Sequence, residues 1–336
     1  MAEPDYKTLG FKDIIVDRDG GVLTIWINRA KQRNVINTNI IEELIQIFEL
    51  ADRDDRVRVV VLTAEPTAPA FCSGADISGG WDVLWTEEAE KEGPQGGFSL
   101  PQNDQFSYEI ISAHRDGGGR ASMAIYRCRK ITISAVNGHA AGVGITALQL
   151  PFDLRLAWAG AKLTFPFRET GHCSRRYLTP CPSESHLSKP HDLATSSYLL
   201  PRLLGHSRAN SLLLTGETVT PDSPHIRDLF HQILPTRDAV YPAAKALADE
   251  LAAHTSQTSV AFAKSLLQHP GDSIEENHLL DSRVMKITAG SKDGAEGVKS
   301  FLERRQPKFV GVLSKDMSDW FPWWRRMDVK NLKTKL

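Results

Sequence analysis

The chain has 336 residues, enough for a sizeable buried core in one domain or two. Hydrophobic residues make up 41% and charged residues 24%, as in ordinary soluble globular proteins, and 40 Lys and Arg against 41 Asp and Glu leave a net charge of −1. That balance gives no electrostatic case for nucleic-acid or membrane-surface binding. The four cysteines, Cys72, Cys128, Cys173 and Cys181, form no CxxC pair and have no metal-ligand spacing with histidine. Free thiols in a reducing compartment, and no bound metal, are therefore expected. The N-terminus lacks the apolar core of a secretory signal, and no apolar run nears the length of a membrane span.

Two β-rich runs, Ile14 to Val16 and Val22 to Ile27, are joined by Asp19-Gly20-Gly21 and read as a hairpin. Asn39 is placed to cap a helix, with Glu42 three residues on, and apolar residues at 40, 41, 44, 47, 48 and 51 then follow one helical face. Val57 to Thr63 reads as a strand. Residues 66–120 are irregular and rich in glycine and proline, and 120–130 look helical. Ile131 to Val136 is a strand ending at Asn137-Gly138, Gly142 to Leu150 a small-residue helix, and Leu154 to Trp158 and Lys162 to Phe165 two further strands. Strands alternating with helices argue an α/β core. From about residue 196 the pattern is almost wholly helical, over 196–204, 207–214, 238–254, 258–268, 274–290 and 293–305.

Two turns stand out chemically. Phe71-Cys72-Ser73-Gly74-Ala75-Asp76-Ile77 follows a strand and a loop, and Val136-Asn137-Gly138-His139-Ala140-Ala141-Gly142-Val143-Gly144 follows a strand and opens a helix. Small residues let a backbone come close to a ligand, and a helix start offers unpaired N–H groups. Facing each other, two such turns form an oxyanion hole; taken singly, each is an ordinary tight turn.

The pair of segments resembles the FxxGADI and A-x-NGxAxGxG signatures of the crotonase (enoyl-CoA hydratase/isomerase) superfamily. Asn28-Arg29-Ala30-Lys31-Gln32-Arg33-Asn34-Val35-Ile36 resembles the NRPxxxNAL segment of that family. Ser196-Ser197-Tyr198-Leu199-Leu200-Pro201-Arg202 resembles its peroxisomal Δ3,Δ2-enoyl-CoA isomerase-like branch, and Glu296 to Arg305 its EGVxxFxEKR tail. The resemblance covers about residues 12–310. It implies a crotonase spiral of repeated ββα units over 12–205, a helical C-terminal oligomerisation region over 206–310, and an aromatic and basic tail over 311–336. It also implies a homotrimer or a dimer of trimers.

The chemistry implied is stabilisation of a thioester enolate, with coenzyme A as part of the substrate and no separate cofactor. The backbone amides of Ser73 and Val143 are the expected oxyanion donors. Ala75, Asp76 and Ile77 are expected to line the adenine site, and Arg33, with Arg304, Arg305 or Lys308, to meet coenzyme A phosphates; each of these cations alone reads equally as solvated surface charge. A hydratase of the family uses two glutamates, which fall here at Thr146 and Phe167, and the isomerase-like branch uses one, which falls at Leu193. None is acidic. Glu169 and Glu184 are the remaining candidate acid/base residues, with Asp192 beside the lost position.

Residues 172–193 form an atypical insert without helical or strand period. It reads as a gene-model artefact, as a functional loop that brings Glu184 to the site, or as a metal or redox loop; the first is the expectation. The function implied is an acyl-CoA isomerase/hydratase of fungal fatty-acyl or secondary-metabolite (toxin or siderophore) synthesis. The alternatives are an acyl-CoA-binding homologue with impaired catalysis, or another enolate reaction such as thioester hydrolysis. Thr334-Lys335-Leu336 lies one residue from the Ser-Lys-Leu address read by the peroxisomal import receptor, so the peroxisome is expected and the cytoplasm is the alternative. Trp320, Trp323 and Trp324 are expected to pack on a neighbouring subunit.

Overall fold

The computed structural model describes residues 4–76, 78, 116–165 and 194–324. In chain order the elements are β1 (Ile14–Asp19), β2 (Val22–Ile27), α1 (Thr38–Arg53), β3 (Val59–Ala64), α2 (Gly117–Arg127), β4 (Ile131–Val136), β5 (Ala140–Ala141), α3 (Val143–Thr146), β6 (Leu154–Trp158) and β7 (Leu163–Thr164). They continue as α4 (Ser196–Leu204), α5 (His206–Thr215), β8 (Thr218–Val219), β9 (Gln232–Leu234), α6 (Val240–His254), α7 (Gln257–Gln268), α8 (Ile274–Ala289), α9 (Lys292–Leu302) and α10 (Leu313–Asp316). The main sheet runs β1-β2-β3-β4-β6-β9. β1 and β2 are antiparallel, and every later pair is parallel. A small second sheet, β5-β7-β8, stands beside it. This is the expected α/β fold class.

Side-chain alternation explains the layers. Val59 and Val61 of β3 join Val22, Ile133, Ala135 and Leu156 beneath Val240, Ala244 and Ala248 of α6. Val60 and Leu62 point the other way, with Leu23, Ile25 and Ile27, onto Ile40, Leu44, Ile47 and Phe48 of α1. β3 is thus buried at all six positions, which is why it carries no polar alternation.

Four expectations are corrected. Asn37, not Asn39, caps α1, because its side chain reaches the Ile40 amide at 2.9 Å, while Asn39 bonds Asp13 and Glu43. The small-residue helix is only α3, because after Thr146 the bonds from Leu148 and Leu150 widen to carbonyls five residues back. The boundary at 205 falls inside the core, since β9 extends the main sheet and α6 covers it. The tryptophans pack within the chain: Trp324 stacks on His269 at 3.9 Å, Trp320 on Trp323 at 4.8 Å, and Phe321 meets Phe262 edge-on. Among the described residues no helix is long and apolar enough to cross a membrane. The insert and the last residues of the tail lie outside the described residues.

A buried carboxylate fixes where the hairpin enters. Glu43, on α1, accepts the amides of Lys12, Asp13 and Ile14 at 2.7, 3.1 and 3.1 Å. Glu43→Ala leaves these amides without an acceptor, and a loss of about 3 kcal/mol is expected in urea unfolding. Glu43→Gln, which keeps one acceptor oxygen, loses less.

Candidate active site

β3 and β4 are parallel neighbours, so the chain leaves both at the same edge of the sheet, where ligand sites of parallel sheets form. There the two predicted turns meet. The amides of Phe71 and Cys72 donate to the His139 carbonyl at 2.9 and 3.2 Å, and the Ala141 amide donates to the Cys72 carbonyl at 3.0 Å. Gly144 makes that contact possible: a Cβ there falls 2.6 Å from the Cys72 carbonyl oxygen and 2.8 Å from the Cys72 Cβ. Gly74, with φ +104, holds a backbone conformation closed to most side chains.

On its far side, the 72–76 segment is gripped by the segment after β2. Ser73 donates to the Arg33 carbonyl at 3.2 Å, Ile36 to the Gly74 carbonyl at 2.8 Å, and Asp76 to the Ile36 carbonyl at 2.8 Å. Buried Asn34 ties this together: its side-chain amide donates to the Ala70 and Phe71 carbonyls, at 3.0 and 3.2 Å, and its oxygen accepts the Arg29 amide at 2.9 Å. Asn34 is a supporting residue to which the sequence reading gave no role. Its place at the second asparagine of the NRPxxxNAL-like segment was the available signal.

These bonds decide which amides remain available. The Ser73 amide is spent on Arg33, so the expected first donor is corrected. Ile36 pairs across Ala75 through the Gly74 carbonyl and the Asp76 amide, so the Ala75 amide itself points away from Ile36. Among the described residues it has no acceptor. Val143 is the first residue of α3, where no intrahelical acceptor exists, and its amide is likewise unpaired. Two unpaired amides, on turns locked to each other, are suited to hold an oxygen that gains negative charge.

The other expected residues divide. Arg33 is exposed beside Ser73, with φ 54. Asp76 is occupied: the Ser78 hydroxyl at 2.7 Å, with Arg29 at 3.4 Å behind it, holds its carboxyl below the usual carboxylate range. Arg305 is clasped by Glu296 and Glu303, each at 2.6 Å, so its charge is already neutralised, and the Lys308 amide caps the same Glu296. No hydrogen bond or ion pair among the described residues joins Arg305 or Lys308 to the two turns. Ile77, Glu169 and Glu184 lie outside the described residues, as do Phe167, Asp192 and Leu193. Thr146 is fully buried, and its hydroxyl donates to the Gly142 carbonyl at 3.3 Å. Burial pushes the Cys72 thiol up to about 12 and the Cys128 thiol to about 11, so neither is a nucleophile at neutral pH. On the approach to α4, Ala194 and Thr195 have φ of 37 and 70, and the Thr195 hydroxyl is 2.6 Å from that of Ser122 on α2.

This geometry has clear counterparts. Residues 17–96 and 191–312 match the family model described as enoyl-CoA hydratase/isomerase. Enoyl-CoA hydratase AFT3-1 of Alternaria alternata is 32% identical over 293 residues, 87% of this chain and 84% of that protein. The 1,2-epoxyphenylacetyl-CoA isomerase of Escherichia coli K12 is 26% identical over 296 residues, 87% of this chain and 95% of that one. Among solved structures, a "probable enoyl-CoA hydratase/isomerase" from Mycobacterium abscessus superposes with a TM-score of 0.68 at 28% identity, covering 89% of this chain and 98% of that one. The chain belongs to the enoyl-CoA hydratase/isomerase family, the crotonase superfamily, and is an enzyme of that type. The matched segments leave out 97–190, yet the second turn inside that stretch is seated on Cys72.

Gly144→Ala is expected to destabilise the fold by about 1–3 kcal/mol, because the Cys72 carbonyl it strikes is main chain and cannot swing aside. Chemical denaturation with circular dichroism measures this.

Proposed function

We propose that this enzyme holds an acyl-CoA thioester with its carbonyl oxygen between the backbone amides of Ala75 and Val143, and moves a double bond along the acyl chain as an enoyl-CoA isomerase. The observation that carries this reading is the pair of amides without acceptors, on turns that Cys72, Ala141 and Gly144 lock together. A proton leaves the carbon beside the carbonyl, its electron pair becomes enolate charge on the thioester oxygen, and the two amides stabilise that charge. The proton then returns to another carbon of the same chain. One carboxylate suffices for this shuttle, whereas hydration needs a second group to activate water. Thr146, buried where a hydratase of the family places a glutamate, supports the isomerase over the hydratase. Glu169 or Glu184 is the proposed base, and Arg33 a proposed phosphate contact.

A second reading, an acyl-CoA-binding homologue that turns nothing over, draws on the same Thr146 and on Leu193 at the isomerase glutamate position. Relatives from Alternaria alternata support a place in fungal fatty-acyl or secondary-metabolite acyl chemistry. Exposed Leu279, Met285, Phe301 and Leu302 on α8 and α9 support a homotrimer, or a dimer of trimers, formed through these helices.

Turnover of a 3-enoyl-CoA against a 2-enoyl-CoA separates the readings. Isomerase activity is expected, falling on the order of 10²–10³ in kcat with Val143→Pro, because proline fits the first position of a helix but brings no N–H. Glu169→Gln and Glu184→Gln identify the base by which of them removes activity. Binding of acyl-CoA with no turnover of either substrate establishes the second reading instead.

Delivery to the peroxisome through Thr334-Lys335-Leu336 is also proposed. Residues 325–336 fused to a fluorescent reporter are expected to give punctate signal that overlaps a peroxisomal marker. A diffuse signal leaves the cytoplasm as the location.

A further inference from the structure

A cavity of about 290 Å³ lies between the C-terminal end of α2 and α7, roofed by the aromatic residues that follow α10. It opens beside Cys128 and Arg129, just before β4 begins, whereas Val143 follows the other end of β4. Six strand residues separate the two, roughly 20 Å of extended chain, so the cavity is not part of the thioester site.

Its walls differ in chemistry. Met123, Phe321 and Trp324 present apolar and aromatic surface, and Trp324 is held in place by its stack on His269 and by edge contacts from Phe321 and Trp323. The same cavity is lined by the polar side chains of Tyr126, Ser265 and His269. Among the described residues none of these three side chains has a hydrogen-bond partner, although Ser265 is 4% exposed. Tyr126 and His269 are half-buried, so their polar atoms are free to meet a ligand in the cavity. Burial pushes the Tyr126 phenol up to about 12 and holds the His269 imidazole below its ordinary value, so both are neutral at pH 7 and each offers one donor. Arg129 and Lys264 add positive charge at the rim, each balanced by a carboxylate, Asp52 at 2.7 Å and Asp153 at 2.8 Å. The chain beyond Trp324 continues Arg325-Arg326, the same sign as the rim, and so lacks the complementary charge.

We propose that this cavity is a second ligand site, which takes a small carboxylic acid with a flat or short aliphatic body. The carboxylate accepts hydrogen bonds from the Ser265 and Tyr126 hydroxyls and the His269 N–H, and the body lies against Met123, Phe321 and Trp324. The volume stands at the lower end of the range for small-molecule pockets, about 300–1,000 Å³, which limits the ligand to a free acid rather than a coenzyme A thioester.

Titration calorimetry of the full chain with 3-phenylpropanoate tests this. One acid is expected per chain, with 3-phenylpropan-1-ol weaker by roughly tenfold, since a hydrogen bond to a charged group is worth more than one to a neutral group. Saturating coenzyme A is expected to leave the acid bound, which separates this site from the thioester site whatever the outcome there. Ser265→Phe, which fills the cavity, is expected to abolish binding; if circular dichroism shows that it does not fold, Met123→Trp fills the cavity from α2 and decides the point. The proposal is overturned by the absence of saturable binding, by displacement of the acid with coenzyme A, by equal affinity for the alcohol, or by unchanged affinity in a folded cavity-filling variant.

Discussion

The main-chain ladder between Phe71-Cys72 and His139-Ala141 is the constraint on which the site depends. The parallel pairing of β3 with β4 delivers both turns to one edge of the sheet, but only the ladder sets their mutual position. Once it forms, almost every neighbouring amide is consumed: Ser73 by Arg33, Asp76 by Ile36, Gly142 by Thr164. Ala75 and Val143 are among the amides that keep no acceptor within the described residues, and at Val143, which is buried, this is costly, since an unpaired buried amide forgoes about 1–3 kcal/mol. A fold that bonds these two turns to each other and leaves such donors unpaired places its exception to local consistency where chemistry is expected.

Much of the architecture could be read from local pattern. The strands Ile131–Val136 and Leu154–Trp158 begin and end where their apolar runs do, and the helix over Thr38–Arg53 follows its apolar face. What escaped reading depends on distant partners. Asn37 and Asn39 are alike as candidate caps, and the choice is made by Asp13 and Glu43, which engage Asn39 from its side. The strands Thr218–Val219 and Gln232–Leu234 are too short to show a period, and form only because β7 and β6 present open edges to them. The motif located the loop but not which of its amides are already bonded. Which amides are already spent is decided by Arg33 and Ile36, far back in the chain, which take up those of Ser73 and Asp76.

The donors proposed for this enzyme belong to the backbone. Donors that are main-chain amides cannot titrate and do not depend on side-chain identity, so Val143 can stand at such a position without loss of the donor. Side-chain chemistry is correspondingly spare. Thr146 turns its hydroxyl back onto Gly142, Asp76 is held by Ser78 and Arg29, and burial keeps the Cys72 and Cys128 thiols protonated. Among the described residues no His, Cys, Asp and Glu are grouped to hold a metal ion. The proposed division of labour leaves proton movement to a carboxylate, with positioning and charge stabilisation assigned to the backbone.

The bond between Ser122 and Thr195 has a consequence for how such a chain diversifies. Together with the antiparallel pairing of β7 and β8, it clamps the fold on both sides of residues 166–193, one flank through Leu163 and Thr164 and the other through Thr195. The two clamps do not involve the intervening residues, so additions or deletions between them leave the sheet register and the helix start unchanged. Natural variation can therefore sample new lengths and new side chains beside the unaltered pair of turns. A lineage built on this scaffold can change the length and the side chains of one interval by drift, without passing through unfolded intermediates.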